Sequence, residues 1–152
     1  MGASEITKNK LWIGNSDDWR AIVREHDRRI GSILDLRGPG RHEGIPPDIG
    51  LDPLDPGLPD EAPNAKDLDR ATVHLHKVLT ARGSGFMHCI SGNGRSSTVA
   101  AAYLIRYEGR DVVTALCLVR QSRPTAWSTD DWDYCRHLFE FAEPFLKGAR
   151  GR

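Results

Sequence analysis

Cysteine is scarce in this chain, and the little there is does not pair. Cys89, Cys117 and Cys135 are odd in number, far apart and never spaced as CxxC. A disulfide framework is therefore not expected, and a reducing, cytoplasmic setting is. Charge of one sign is lacking too: 21 Lys and Arg face 21 Asp and Glu, for a formal net charge of zero. That balance argues against a dedicated nucleic-acid binder and against a polybasic membrane-surface protein. No apolar run approaches the roughly 18 residues that span a bilayer, and the N-terminus is too polar for a signal peptide. Gly2 follows Met1, but Ile6 stands where a myristoylation pattern needs Ser or Thr. Neither nucleic acid nor membrane is expected as a partner.

What is present fits one domain. The 152 residues suffice for a sizeable core, and residues 1–147 read as a single domain with a disordered tail over 148–152. The zero total hides a sorting of charge. Residues 43 to 69 carry eight acids and one base, whereas residues 70 to 123 carry eight bases and two acids.

The apolar pattern alternates between short strands and longer helices. Leu11-Trp12-Ile13 reads as a strand ending at Gly14, followed by a helix capped by Ser16 with Trp19, Ile22, Val23 and His26 on one face. Ser32 to Leu36 reads as a buried strand closed by Gly38-Pro39-Gly40. Most of the prolines crowd residues 38 to 65, a long loop with a short strand at Leu51 to Leu54. Leu68, Ala71, Leu75, Val78 and Leu79 form a helical face, and Phe86 to Cys89 a strand. A helix over Ser96 to Tyr107 follows. Another is capped by Asp111 with Val112, Ala115, Leu116 and Val119 inward, and the last is capped by Ser128 with Trp132, Cys135, Phe139 and Ala142 inward. The expectation is an α/β fold with a central, mainly parallel sheet of four to five strands flanked by helices.

Chemistry concentrates in His88-Cys89-Ile90-Ser91-Gly92-Asn93-Gly94-Arg95-Ser96-Ser97. A cysteine closes a strand, five residues with two glycines intervene, and an arginine opens a helix. Glycines let backbone N–H groups turn inward, and the helix N-terminus adds its positive end. The product is an anion cradle of phosphate size, formed by Ile90, Ser91, Gly92, Asn93, Gly94 and Arg95. Arg95 can offer a planar fork to two phosphate oxygens. The same field favours a thiolate, which makes Cys89 the candidate nucleophile. Cys117 and Cys135, on apolar helical faces, read as inert small hydrophobes.

This loop resembles the H-C-x5-R-[S/T] signature of the cysteine-based protein tyrosine phosphatases, and the chain's size and its Gly-x-Gly resemble the compact dual-specificity branch. Leu11-Trp12-Ile13-Gly14, Ile33-Leu34-Asp35-Leu36-Arg37 and Val119-Arg120-Gln121-Ser122-Arg123-Pro124 are similar to that family's early strands and late helix end. The resemblance implies hydrolysis of phosphate monoesters through a phosphocysteine, with no metal and no organic cofactor. It implies that His88 organises hydrogen bonds beneath the loop and that the Ser96 hydroxyl helps the cysteine leave. It also implies an aspartate, on a flexible loop upstream, that protonates the leaving oxygen and then activates water. Asp52, Asp55 and Asp60 precede Cys89 by 37, 34 and 29 residues. Asp55, at the end of the short apolar stretch, is the first choice; Asp60, nearer the next helix, is the alternative.

Phosphorylated protein or peptide is the expected substrate: phosphotyrosine, with phosphoserine and phosphothreonine admitted by a shallow pocket. The loop has no lysine of the kind that relatives acting on phosphoinositides place there. The segment Gly38 to Ile49, with Arg41 and His42, reads either as a substrate-facing rim or as a passive connection. Two other readings stay open. One is a phosphate-reading pseudophosphatase that binds a phosphorylated partner but has lost turnover. The other is an arsenate reductase, which needs redox cysteines beside the loop.

Overall fold

The computed structural model describes residues 2–24, 30–40, 42, 44–127 and 132–150; the side chains of Val23 and of residues 147–150 lie outside the description as well. Five strands form one sheet in the order β1-β2-β5-β3-β4. They are β1 (Ser4–Thr7), β2 (Leu11–Gly14), β3 (Ser32–Asp35), β4 (Gly50–Leu51) and β5 (Gly85–His88). β2, β5, β3 and β4 run parallel, and only β1 is antiparallel, folded back on β2. The expected α/β architecture with a mainly parallel sheet is what the chain adopts. β1 was not expected; it is held by the tight turn at Lys8 to Lys10, where Lys10 N–H donates to Thr7 O and Asn9 takes a positive φ of 59°.

β2, β3 and β5 are buried at every position because both sheet faces are covered. Alternation sends Leu11, Ile13, Leu34 and Met87 to the main core, under helices α2 (Ala65–Arg82), α3 (Arg95–Glu108), α4 (Val112–Ser122) and α5 (Trp132–Arg150). Trp12, Ile33 and Phe86 point the other way and pack with Trp19 and Ile22 of α1 (Asp18–Arg24). α3 is buried almost throughout, from Arg95 to Ile105, and so becomes the axis on which the helical layer packs.

Local signals explain the helix ends. Asn64 caps α2 by a reciprocal box, its Oδ1 accepting from Asp67 N–H and its own N–H donating to Asp67 Oδ2. Asp111 caps α4 through Thr114 N–H, as expected. At α1 the cap is Asn15 rather than Ser16: Asn15 Oδ1 accepts from the amides of Asp17 and Asp18. His26, Arg41 and Ser128, which the sequence reading used, lie outside the described residues.

Two expectations are corrected. The buried face of α5 is Leu138, Phe141 and Ala142, while Trp132 is 72% and Phe139 51% exposed. The inward stripe begins with Tyr134, which packs on the main core, so the helix is rotated about one residue from the expected phase. Cys117 is exposed and Cys135 half-buried, and both line a surface groove between α4 and α5 with Leu116, Trp127 and Trp132. The backbone of α5 runs from Trp132 to Arg150. Among the described residues no helix is long and apolar enough to cross a membrane.

Replacing the α2 cap tests this account of the helix ends. Asn64→Ala should cost about 1 kcal/mol and lower the melting temperature by roughly 2–4 °C, measured by circular dichroism.

Candidate active site

The loop between β5 and α3 is the turning point of the structure. Parallel pairing of β5 between β2 and β3 brings His88 to the edge where Gly14 and Asp35 also end. There the loop leaves the sheet and enters α3 at Arg95. Gly92 sits at φ 77°, and a Cβ there would stand 2.5 Å from the Gly14 carbonyl, so no side chain fits that corner.

Every carbonyl from residue 88 to 94 has a donor outside the concave side of the loop. His88 O accepts from Leu36 N–H (2.9 Å), Ile90 O from Ser16 N–H (2.8 Å) and Asn93 O from Trp127 N–H (3.0 Å). Cys89 O accepts from His88 Nδ1 (3.1 Å), Ser91 O from Arg123 Nη2 (2.9 Å) and Gly92 O from Ser97 Oγ (2.7 Å). Gly94 O accepts the first helical bond, from Thr98 N–H. In a trans peptide the C=O and the following N–H point opposite ways. Tying the carbonyls outward therefore turns the amides toward the centre, which is the anion cradle that the glycine spacing anticipates.

Cys89 lies at the base of this cradle, 2% exposed, with its Sγ 3.4 Å from Ser96 Oγ. Arg95 is 5% exposed and held in place: Nη1 donates to Leu58 O (3.2 Å) and Nη2 faces Asp60 Oδ1 (3.4 Å). Ile90 is exposed beside the cradle, and Ser91, Gly92, Asn93 and Gly94 complete it.

The acidic segment 52–60 is placed by its apolar residues. Leu54 and Leu58 are buried, and their amides donate to the carbonyls of Asp35 and Leu36 at the sheet edge. Between them Asp55 faces solvent, joined to Pro56 by a cis peptide. Two residues past Leu58, Asp60 reaches Arg95 while its side chain stays 86% exposed. Asp52 is taken up elsewhere, accepting from Ser32 Oγ (2.5 Å) and pairing with Arg82 (3.0 Å). Burial would raise its carboxyl, but these bonds outweigh it and hold it below the usual range. Of the three candidate acids, the fold brings Asp60, not Asp55, to the phosphate loop.

Beneath the loop lies a polar layer that sequence reasoning located only in part. His88 is fully buried and braces Cys89, as expected. Its Nε2 meets His42 Nε2 at 2.8 Å, and His42 packs edge-on against Trp19. The rim reading of His42 is thus corrected: the side chain turns under the loop instead of facing a substrate. Burial lowers the pKa of both imidazoles. Asp35, also fully buried, takes two hydrogen bonds from the Arg37 guanidinium, each 2.9 Å. Burial pushes its carboxyl up, but those bonds and the Arg37 amide win and keep it below the usual value.

Arg123 was missed as a site residue. It is 3% exposed, and besides Ser91 O it binds Asn93 Oδ1 (3.0 Å) and Ser4 Oγ (3.2 Å), tying the loop to α4's end and to β1. The available signal was an arginine before a proline at a helix terminus, but its target 30 residues earlier in the chain is not visible from spacing.

Comparison with known proteins agrees with this geometry. A family model described as dual specificity phosphatase, catalytic domain, matches residues 53–143. An Arabidopsis thaliana phosphatidylglycerophosphate phosphatase, PTPMT2, is 36% identical over 63 residues, or 41% of this chain and 28% of that protein. Human dual specificity phosphatase 28 is 30% identical over 59 residues, covering 39% of this chain and 34% of the relative. Human dual specificity protein phosphatase 16 is 26% identical over 84 residues, 55% of this chain but only 12% of the relative. These matches span about a third or less of each relative's length. The crystal structure of human DUSP28 superposes with a TM-score of 0.76 at 16% identity, covering 96% of both chains. That of Tk-PTP in its active form gives 0.72 at 23% identity, over 93% of this chain and 97% of that one. With the catalytic-domain match spanning more than half of its length, the chain belongs to the dual specificity phosphatase family.

Proposed function

We propose that this protein hydrolyses phosphate monoesters on protein or peptide substrates through a phosphocysteine intermediate. The observation that carries the reading is the convergence on one cradle of Cys89 Sγ, Ser96 Oγ at 3.4 Å, and an Arg95 guanidinium with Asp60 beside it.

The roles follow from the chemistry of each group. The inward amides and Arg95 bind the phosphate dianion, the guanidinium spanning two of its oxygens. The Cys89 thiolate attacks phosphorus; the P–S bond forms as the bond to the leaving oxygen breaks, and Asp60 delivers the proton that oxygen needs. Water then attacks phosphorus, Asp60 takes its proton, and the thiolate departs with Ser96 Oγ donating to the sulfur. Asp60 is suited to both steps because it stands at Arg95 yet remains free to move in solvent. A pseudophosphatase would lack such an acid, so its presence at the loop favours turnover. Arsenate reduction is disfavoured, since Cys117 and Cys135 line the α4–α5 groove.

A second substrate class has its own support. The similarity to PTPMT2, named as a phosphatidylglycerophosphate phosphatase, makes a phosphorylated lipid headgroup the competing reading. Against it stand Ile90, Ser91 and Asn93, which give the loop no lysine for further phosphate groups. Steady-state kcat/KM on a tyrosine phosphopeptide, a serine/threonine phosphopeptide and phosphatidylglycerophosphate in mixed micelles separates the two; preference for the lipid overturns the peptide assignment.

Five variants probe the mechanism. Cys89→Ser should lower kcat on 4-nitrophenyl phosphate by more than about 10³-fold while inorganic phosphate still binds, because the cradle is backbone. Asp60→Asn should cost about 10²-fold or more in kcat and flatten the basic limb of the pH–rate profile, whereas Asp55→Asn should leave that limb intact; the reverse pattern moves the acid to Asp55. Arg123→Ala frees Ser91 O and leaves Asn93 Oδ1 with Thr125 Oγ1 alone, and should raise the inhibition constant of inorganic phosphate by about ten-fold. Arg123→Lys should restore part of that loss.

A further inference from the structure

The polar layer beneath the phosphate loop holds more than bracing requires. His42, His88 and Asp35 each present one potential ligand atom, and the three atoms lie within 4.8 Å of one another. The geometry points to a binding site for one divalent cation of the zinc type, held by His42 Nε2, His88 Nε2 and a carboxylate oxygen of Asp35.

The tautomer of His88 is the first reason. Its Nδ1 faces the Cys89 carbonyl at 3.1 Å, and a carbonyl only accepts, so Nδ1 carries the hydrogen and Nε2 presents a lone pair. An Nδ1–H donated to a backbone carbonyl, with Nε2 left to bind, is the arrangement that orients ligating histidines. The lone pair is aimed at His42 Nε2, 2.8 Å away. In the metal-free protein that contact is a hydrogen bond donated by His42; a cation would take the place of the shared proton. Tetrahedral zinc with Zn–N near 2.0 Å needs ligand atoms roughly 3.3 Å apart, so the two rings have only to part by about half an ångström.

Asp35 supplies the charge. Arg37 uses Oδ1 twice, through Nε and its amide, and Oδ2 once, through Nη2. A carboxylate offers about four acceptor positions, so one on Oδ2 remains, and a ligating carboxylate is ordinarily anchored by hydrogen bonds of this kind. Access exists as well. A small cavity of about 70 Å³, lined by Ile33, Asp35, Gly40, His42, Leu51 and Pro53, reaches two of the three ligand residues and has room for a water as fourth ligand. This donor set of two imidazoles and one carboxylate suits zinc and its neighbours rather than magnesium or calcium. Because His88 holds the Cys89 carbonyl, an ion here would act on the phosphate loop from behind, without covering the thiol.

The test reads binding, not turnover, so it stands apart from the phosphatase assignment. Zinc chloride is titrated calorimetrically into the full chain carrying Cys89→Ser, Cys117→Ser and Cys135→Ser, which removes every thiolate. One zinc per chain is expected. Adding His42→Gln, which keeps a donor toward His88 but is a poor zinc ligand, should weaken binding at least ten-fold. His76→Gln should not. Failure of the thiol-free chain to bind zinc, or equal binding after His42→Gln, overturns the site. Cobalt(II) in the thiol-free chain gives a readout that needs no His42 variant: intense visible bands of a four-coordinate ion are expected, and weak six-coordinate bands contradict the proposal.

Discussion

The structure turns on where seven consecutive carbonyls point. From His88 to Gly94 each is drawn outward by a donor, Cys89 O by the ring of the neighbouring His88 and the others from elsewhere in the chain or from the opening turn of α3, and the amides that follow are turned inward as a result. The donors come from β5 itself, β3's end, the β2–α1 turn, α3, the end of α4 and the segment after it, so widely separated stretches of the chain converge on one loop. Without those ties the glycines would let the loop collapse on itself. Flexible residues are needed to make the corner, and the surrounding fold removes the freedom they bring. That is why buried, polar Ser97, Thr98 and Arg123 occur in an otherwise apolar region. Each is hydrogen-bonded, so burying it leaves no polar atom unmatched.

The parallel sheet serves the same end. β5 is the central strand of the five, flanked by β2 and β3, and all three stop at the same level. In open α/β sheets that level, outside the carboxyl ends of the strands, is where a ligand can meet both backbone donors and a helix N-terminus. Here it gathers Gly14, Asp35 and His88 around one loop.

The strand–loop–helix core of the site was legible because its information is local. Cys89, Arg95 and Ser96 fall within eight residues, and their spacing alone fixes a cradle. The sheet was legible for a related reason: strands covered on both faces are continuous apolar runs. What was not legible depends on contacts between distant segments. Asp60 and Asp55 are both aspartates beside prolines. Only the burial of Leu54 and Leu58 against β3 decides which one arrives at Arg95. Arg123 and His42 likewise take their meaning from partners far away in sequence. In α5 the apolar residues are too numerous for one stripe, so the helix could be phased on Trp132 and Phe139 or on Leu138 and Phe141. Packing against α3 chose the latter.

The pairing of Asp60 with Arg95 shows how an overall neutral protein can be strongly selective for a dianion. In the free protein the acid of the loop's approach neutralises the guanidinium that the phosphate will need. Such a pair, open to solvent on the acid's side, is worth at most about 1 kcal/mol, because water screens it and the flexible partner loses freedom by forming it. A phosphate dianion competes with two advantages: a higher charge, and inward amides that the carboxylate does not reach. Once displaced, Asp60 has little distance to travel, since Leu58, two residues back, remains fixed with its carbonyl on Arg95. The carboxyl is therefore released at the mouth of the cradle, where the leaving oxygen of a bound monoester emerges. The same anchor that holds the arginine ready holds the acid within reach.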